Sequence, residues 1–314
     1  MSYQQLIEGQ RLIQIFFQQG MSYRKIASKL GISHSTISRE VRRNSSETSY
    51  CPLGAHQQAL VRRHGSGKRR MSDKVFTFVE LALGWKWSPE QISGVGDLID
   101  LTVSHEWIYR YIRADRLQGG ELFKQLRHSG KRRRKSSQGK REIIPNRVGI
   151  EERPEVVDRR ERLGDWELDT VIGKQGTGAI VSLVERKSRL YLIRKVEAKT
   201  AEAVRKAINT MLWRYRKHVH TITADNGTEF CGHELVAEKL KTKVYFAHPY
   251  CSWERGLNEN FNGLLRQYIP KGTDLRQVTD KQIKWIETQL NLRPRKCLGY
   301  KQPAVVFEEL RKAA

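Results

Sequence analysis

"TADNGTEF", residues 223–230, ends an alternating apolar run on an acid, an amide and a glycine. One reading is a tight Asp-Asn-Gly hairpin turn between two strands. The other is a strand that stops at Ala224 and leaves Asp225 projecting beyond a sheet edge. The following residues choose between them: the stretch near 233–240 has helical spacing and offers no partner strand. Asn226 and Gly227 permit the sharp turn.

Upstream, "DWELDTVIG" (165–173) reads as a strand, with Asp169 on it. Glycines 173, 176 and 178 lead to "AIVSLVER" (179–186), and a short turn leads to "RLYLIRKV" (189–196). Strands joined so closely pair antiparallel. Thr200 caps a helix with Val204, Ala207, Ile208, Met211, Leu212 and Tyr215 on one stripe. "HTITA" (220–224) runs into Asp225, and "KVYFA" (243–247) supplies a fifth strand before a long helix that starts near 253. This order predicts a mixed five-stranded sheet flanked by helices.

That last helix, "SWERGLNENFNGLLRQYI" (252–269), can be tested by its period. At ~100° per residue, Trp253, Leu257, Phe261, Leu264, Leu265 and Tyr268 span about 120°. Arg255, Glu259, Asn262 and Arg266 gather on the other side within about 60°. One stripe docks on the sheet, with Trp253 expected in the core. The other presents a carboxylate between two arginines and an amide. Such a face is either an exposed one, with Arg255 and Glu259 paired at i, i+4, or part of a site.

Charge favours a site on nucleic acid. The chain carries 58 basic and 34 acidic residues, a net charge of +24. Residues 1–160 hold 30 basic and 16 acidic groups, and residues 161–314 hold 28 and 18, so the excess is not confined to a tail. A polyanion laid along a long face is the natural partner. No apolar run is long enough to span a bilayer, and "MSYQQLIEGQ" at the N-terminus has no cationic start, so no membrane partner and a cytoplasmic location are expected. The cysteines Cys51, Cys231, Cys251 and Cys297 make no Cys-x-x-Cys, against a disulfide framework or a zinc finger.

"MSYRKIASKLGISHSTISREVRRN" (21–44) spaces Ile26, Leu30, Ile37 and Val41 for two short amphipathic helices broken at Gly31, with Ser22 and Ser33 placed as caps. This is either a helix-turn-helix or an αα-hairpin in a core. In the first case the second helix exposes Ser35, Thr36, Ser38 and Arg39, with Arg42 and Arg43 beyond, to base edges and phosphates. "WSPEQISGVGDLIDLTVSHEWIYRYI" (87–112) repeats the pattern: Ser88, Pro89 and Gln91 form a capping signature and Ser104 caps the next helix. Gly94 and Gly96 weaken the first of these helices, which leaves a structural spacer as the alternative. "RHSGKRRRKSSQGKR" (127–141), including Lys131, Arg132, Arg133 and Arg134, holds eight basic residues and no acid, a strap suited to phosphates.

"WELDTVIG", "TADNGTEF" and "SWERGLNENFNGLLRQYIPKG" (252–272), with 33 residues between Asp225 and Glu259, resemble the DDE transposase and retroviral-integrase superfamily. "GDWELDTVIG", "RPRKCLGYKQPAVVF" (293–307) and "KWSPEQIS" (86–93) resemble, more closely, the IS-thirty family of insertion-sequence transposases. The resemblance implies a ribonuclease-H-like α/β core behind helix-turn-helix modules. It implies that Asp169, Asp225 and Glu259 hold two magnesium ions, with manganese substituting. It further implies that Arg266 contacts DNA near the site, as Arg255 and Asn262 on the same face would. The partners are then the terminal inverted repeats and target DNA, bound by a dimer or higher oligomer at the nucleoid. The rival reading is a DNA-binding regulator with an inert core.

The expected division is a helix-turn-helix at 1–50, a basic linker at 51–70 and a second helical module at 71–126. A second basic linker at 127–159, a catalytic domain at 160–275 and a helical extension at 276–314 complete it.

Overall fold

The computed structural model describes residues 3–45, 50–65, 71–127, 144–249 and 251–313. They form two compact units, 1–71 and 72–314.

The first unit is four helices: α1 (Tyr3–Gln18), α2 (Tyr23–Leu30), α3 (His34–Asn44) and α4 (Pro52–Gly65). Gly31 stops α2 because its φ of 64° is left-handed, a conformation that glycine adopts at no steric cost. Ser33 starts α3, its hydroxyl accepting from Thr36 N–H at 3.3 Å; Ser22 stands at the cap of α2 without such a bond. Ile26, Ile37 and Val41 bury against Ile13, Tyr50 and Ala55. Helix α4 occupies a stretch read from sequence as linker. It offers little periodicity to read, since among its described side chains Pro52 and Ala55 are buried while the apolar Leu53 and Val61 are exposed.

The second unit begins with α5 (Asp73–Gly84), α6 (Pro89–Leu98) and α7 (His105–Leu117). The capping box at Ser88 and Gln91 is formed in both directions, at 3.3 and 2.9 Å. Gly94 and Gly96 are there for close approach. A Cβ on Gly94 would lie 2.1 Å from the Tyr300 ring, and one on Gly96 would lie 2.7 Å from the Leu101 carbonyl. Gln91 donates to Pro294 O and accepts from Arg293, so α6 is seated on the segment after residue 292.

The remainder is β1 (Val148–Gly149), α8 (Glu155–Arg159), β2 (Asp165–Ile172), β3 (Ala179–Glu185), β4 (Tyr191–Val196), α9 (Ala201–Leu212), β5 (Thr221–Ala224), α10 (His233–Leu240), β6 (Lys243–Phe246), α11 (Gly256–Leu265), α12 (Asp280–Leu292) and α13 (Pro303–Ala313). The sheet order is β1-β6-β5-β2-β3-β4. Among the described residues it has six strands rather than the expected five. The extra one, β1, pairs parallel with β6 through only two residues, too few to carry an alternation signal. β2, β3 and β4 are antiparallel as expected, while β5 runs parallel to β2 and β6. Trp166, Leu168 and Leu183 face a core closed by α9, α10 and Phe307 of α13. Val171, Ile180 and Val184 face the other, closed by Phe261, Leu264 and Leu265 of α11 and by α12.

Candidate active site

The parallel register pairs Glu167 with Thr223. Two residues further along in each case, Asp169 follows on β2 and Asp225 stands just past the end of β5. Strand neighbours lie ~4.8 Å apart, so the register alone makes these acids adjacent. Alternation along β2 sends Leu168 into one core and Asp169 to the α11 side.

Each aspartate is oriented locally. Asp169 Oδ1 accepts from Thr170 N–H at 2.8 Å, and its Oδ2 accepts from Asn262 Nδ2 at 2.9 Å. Asn262 is itself fixed, its Oδ1 accepting from Ser182 and Tyr191 hydroxyls at 3.1 and 2.9 Å. Asp225 Oδ1 accepts from Gly227 N–H at 3.0 Å, which makes the turn a side-chain one. Gly227 has an ordinary φ of −77°; it is small because a Cβ would meet the Glu229 carboxylate at 2.4 Å. Asn226 ties the loop to the next strand by donating to Ala247 O at 2.7 Å.

Arg255 lies between the two acids. Its Nη2 donates to Asp225 Oδ2 at 3.3 Å, and its Nη1 stands 3.6 Å from Asp169 Oδ1. Burial pushes the Asp169 carboxyl up to about 6; Arg255 opposes that rise and the charge of Asp225 adds to it. The arginine therefore pairs with the aspartates and not with Glu259. Glu259 is exposed on α11. Among the described residues, no three His, Cys, Asp or Glu side chains stand close enough to hold one ion. Arg266 donates to Ile172 O at 2.7 Å, while its Nη1 is buried without a partner. Trp253, expected in the core, is 73% exposed. Residues 252–255 form a 3-10 turn, and its ~120° step breaks the phase extrapolated from the helix.

From sequence, Glu167 is expected only in a support or surface role beside Asp169, and the structure gives it the support role. It is buried on β2, pairs with Arg186 at 2.6 Å, and accepts from the N–H groups of Leu257 and Asn258 at 3.1 and 3.2 Å. It thus caps α11 from the sheet and fixes the helix that carries Glu259 and Asn262. Its sequence signal was weak: same-face spacing from Asp169, with a partner about ninety positions away. Asp165 and Glu229 are likewise structural. Asp165 is gripped by Arg162 and Thr221, and Glu229 by Thr170 and Lys199.

Residues 2–44 match the helix-turn-helix domain family, and residues 159–252 match the integrase core domain family. The transposase for insertion sequence element IS4351 of Bacteroides fragilis is 45% identical, over 97% of this chain and 96% of its own. Transposase InsI of element IS30C from Escherichia coli K12 is 36% identical, over 92% of this chain and 79% of its own. The chain belongs to the IS30 family of insertion-sequence transposases. The transposase also aligns with the crystal structure of the BIV integrase catalytic core domain, at 20% identity and a TM-score of 0.37, over 48% of this chain and 96% of that one.

In the transposase, the integrase-core match ends at residue 252, so α11 with Glu259 lies beyond it. The helix-turn-helix match covers α1 to α3. On α3, Ser35, Thr36, Arg39, Arg42 and Arg43 are exposed and Ser38 is half-buried. Arg39 folds back on Ser35, donating to its carbonyl at 3.0 Å and its hydroxyl at 3.2 Å. Lys131, Arg132, Arg133 and Arg134 lie outside the described residues. Among the described residues, no helix is long and apolar enough to cross a membrane.

Proposed function

We propose that this transposase binds the terminal inverted repeats of its element through α3 and cuts and rejoins DNA strands at Asp169, Asp225 and Glu259. The carrying observation is that the sheet register sets Asp169 and Asp225 side by side with a single guanidinium between two carboxylates. Two negative charges against one positive, on hard oxygen donors, suit divalent magnesium, with manganese as substitute. Bound there, two such ions would neutralise the leaving oxygen and lower the pKa of the attacking water.

The chain's own part is orientation. Asn262 aims Asp169, the Gly227 N–H aims Asp225, and Glu167 holds the helix that carries Glu259. Glu259 is exposed and carries no ion pair among the described residues; in this reading it turns toward the pair when metal binds. The buried, unpartnered Nη1 of Arg266 is a donor left over for a phosphate. Once one strand is cut, its 3′-hydroxyl attacks a second phosphodiester, so no protein nucleophile is needed; positioning and charge neutralisation do the work. Two element ends must be joined, which calls for at least a dimer on DNA, acting at the nucleoid.

Labelled element-end DNA tests the reading. Asp169→Asn, Asp225→Asn and Glu259→Gln should each bind the DNA as wild type does and show no magnesium-dependent nicking. Nicking that survives any of the three would remove that residue from the site. A wild-type protein that binds but never nicks would leave a regulator with an inert core.

A further inference from the structure

Among the described residues, Arg255 is the side chain paired with both aspartates, and its attachment is loose. Its contacts are 3.3 Å to Asp225 and 3.6 Å to Asp169, against 2.6 Å for the buried Arg186–Glu167 pair. Strong charged hydrogen bonds fall at ~2.7–2.9 Å. The side chain is nevertheless only 11% exposed. Its Nε is buried with no partner, and its one well-placed neutral contact is Leu168 O at 3.2 Å. Arg255 is held there by the two negative charges more than by geometry. It is also the last residue before α11, so its side chain can swing without moving the helix.

We infer that Arg255 is a positioning residue that fills the cation seat between Asp169 and Asp225 in the metal-free transposase, and that a divalent cation must displace its guanidinium from at least one carboxylate to bind. The inference rests on the reading of these aspartates as metal ligands. Two like-charged groups cannot share one seat, while the two carboxylates repel each other when nothing sits between them. The arginine therefore holds the two carboxylates together when no metal is bound and competes with a metal for them. Displacement also releases the guanidinium for the DNA contact expected of it from sequence.

The test is a titration of the full-length, DNA-free protein with Mn2+, followed by calorimetry and by the paramagnetic signal of the free ion. Arg255→Gln is expected to bind Mn2+ more tightly than wild type, on the order of tenfold. Its melting temperature without metal should fall, and the gap to wild type should close at saturating Mn2+. Arg255→Lys can pair with only one carboxylate at a time and should tighten binding by a smaller factor, ~2–4-fold. It stands in if the glutamine variant does not fold. Equal or weaker Mn2+ binding by whichever variant folds overturns the inference. Asp169→Asn separates the two ideas. If it binds Mn2+ as tightly as wild type, the ligand reading itself fails. If it loses binding while Arg255→Gln leaves affinity unchanged, only the displacement idea fails.

Discussion

Glu167 Oε2 accepts the backbone N–H of Asn258 across 91 positions of sequence, at 3.2 Å, from inside the protein. The same carboxylate is neutralised by Arg186, which in turn donates to Val157 O at 3.1 Å. Sheet, helix and the approach to β2 thus meet at one buried charge. Truncation of a buried pair leaves an uncompensated ion, at a cost of ~3–5 kcal/mol. Glu167→Ala should lose about that much in chemical denaturation, and Glu167→Gln distinctly less. A loss below ~1 kcal/mol for the alanine variant would mean that α11 is held by its apolar stripe alone.

Asn262 touches Asp169 but nothing that reacts, so its removal should be felt as misorientation. Supporting partners of metal-site carboxylates typically matter ~10–100-fold. Asn262→Ala is expected to slow strand cleavage by that factor with DNA affinity unchanged. Asn262→Asp, which exchanges the donor for a charge, should be worse. A gel-based nicking assay beside a binding isotherm separates the two effects.

Gly94 and Tyr300 offer a steric test. Gly94→Ala places a methyl group inside the space of the Tyr300 ring. Overpacking of this kind costs ~1–3 kcal/mol. Tyr300→Ala in the same chain should return part of it, giving a coupling energy in a double-mutant cycle. Additive losses would show that the ring moves aside freely.

His248 sets a pH dependence. Its Nδ1 meets Glu254 at 2.8 Å and its Nε2 meets Glu151 at 3.3 Å. The hydrogen bond with Glu254 is the main reason its pKa rises above 6.5. A raised pKa in the folded protein means that the tie is complete below 6.5 and is lost as pH climbs through the folded value. A proton titration followed by NMR should place His248 above 6.5, and Glu254→Gln should bring it down. An unchanged midpoint in that variant would assign the shift elsewhere.

On α3, Arg39 is exposed and, among the described residues, is held by its own helix. An arginine that reaches a guanine edge is worth ~1–3 kcal/mol of discrimination. Arg39→Ala should therefore weaken binding to the element end by roughly one to two orders of magnitude, and binding to unrelated DNA much less. Equal losses on both DNAs would make Arg39 a phosphate contact.

The parts legible in the sequence are those with local causes. The three antiparallel strands announce themselves by alternation and short turns. The caps at Ser33, Ser88 and Thr200 are three-residue patterns, and all three bonds form. The placement of Asp225 at a strand end followed from the helix after it. What stayed hidden depends on partners far along the chain. Glu167 could not be told apart as support or surface acid because its bonds run to Leu257 and Asn258. Gly94 looked like a helix defect because the ring that needs it is Tyr300. The pairing of Arg255 with the aspartates and not with Glu259 was hidden because a 3-10 turn shifts its direction. β1 is too short for any pattern to register.

The seating of α6 on Tyr300 bears on how the protein can be divided. The ring that rests on Gly94, the carbonyl of Pro294 and the guanidinium of Arg293 all come from the stretch after α12. A fragment that keeps one of these end segments without the other would expose the face buried between them. The smallest stand-alone piece for crystallisation or spectroscopy should therefore run from Ser72 through α13, and shorter versions should precipitate.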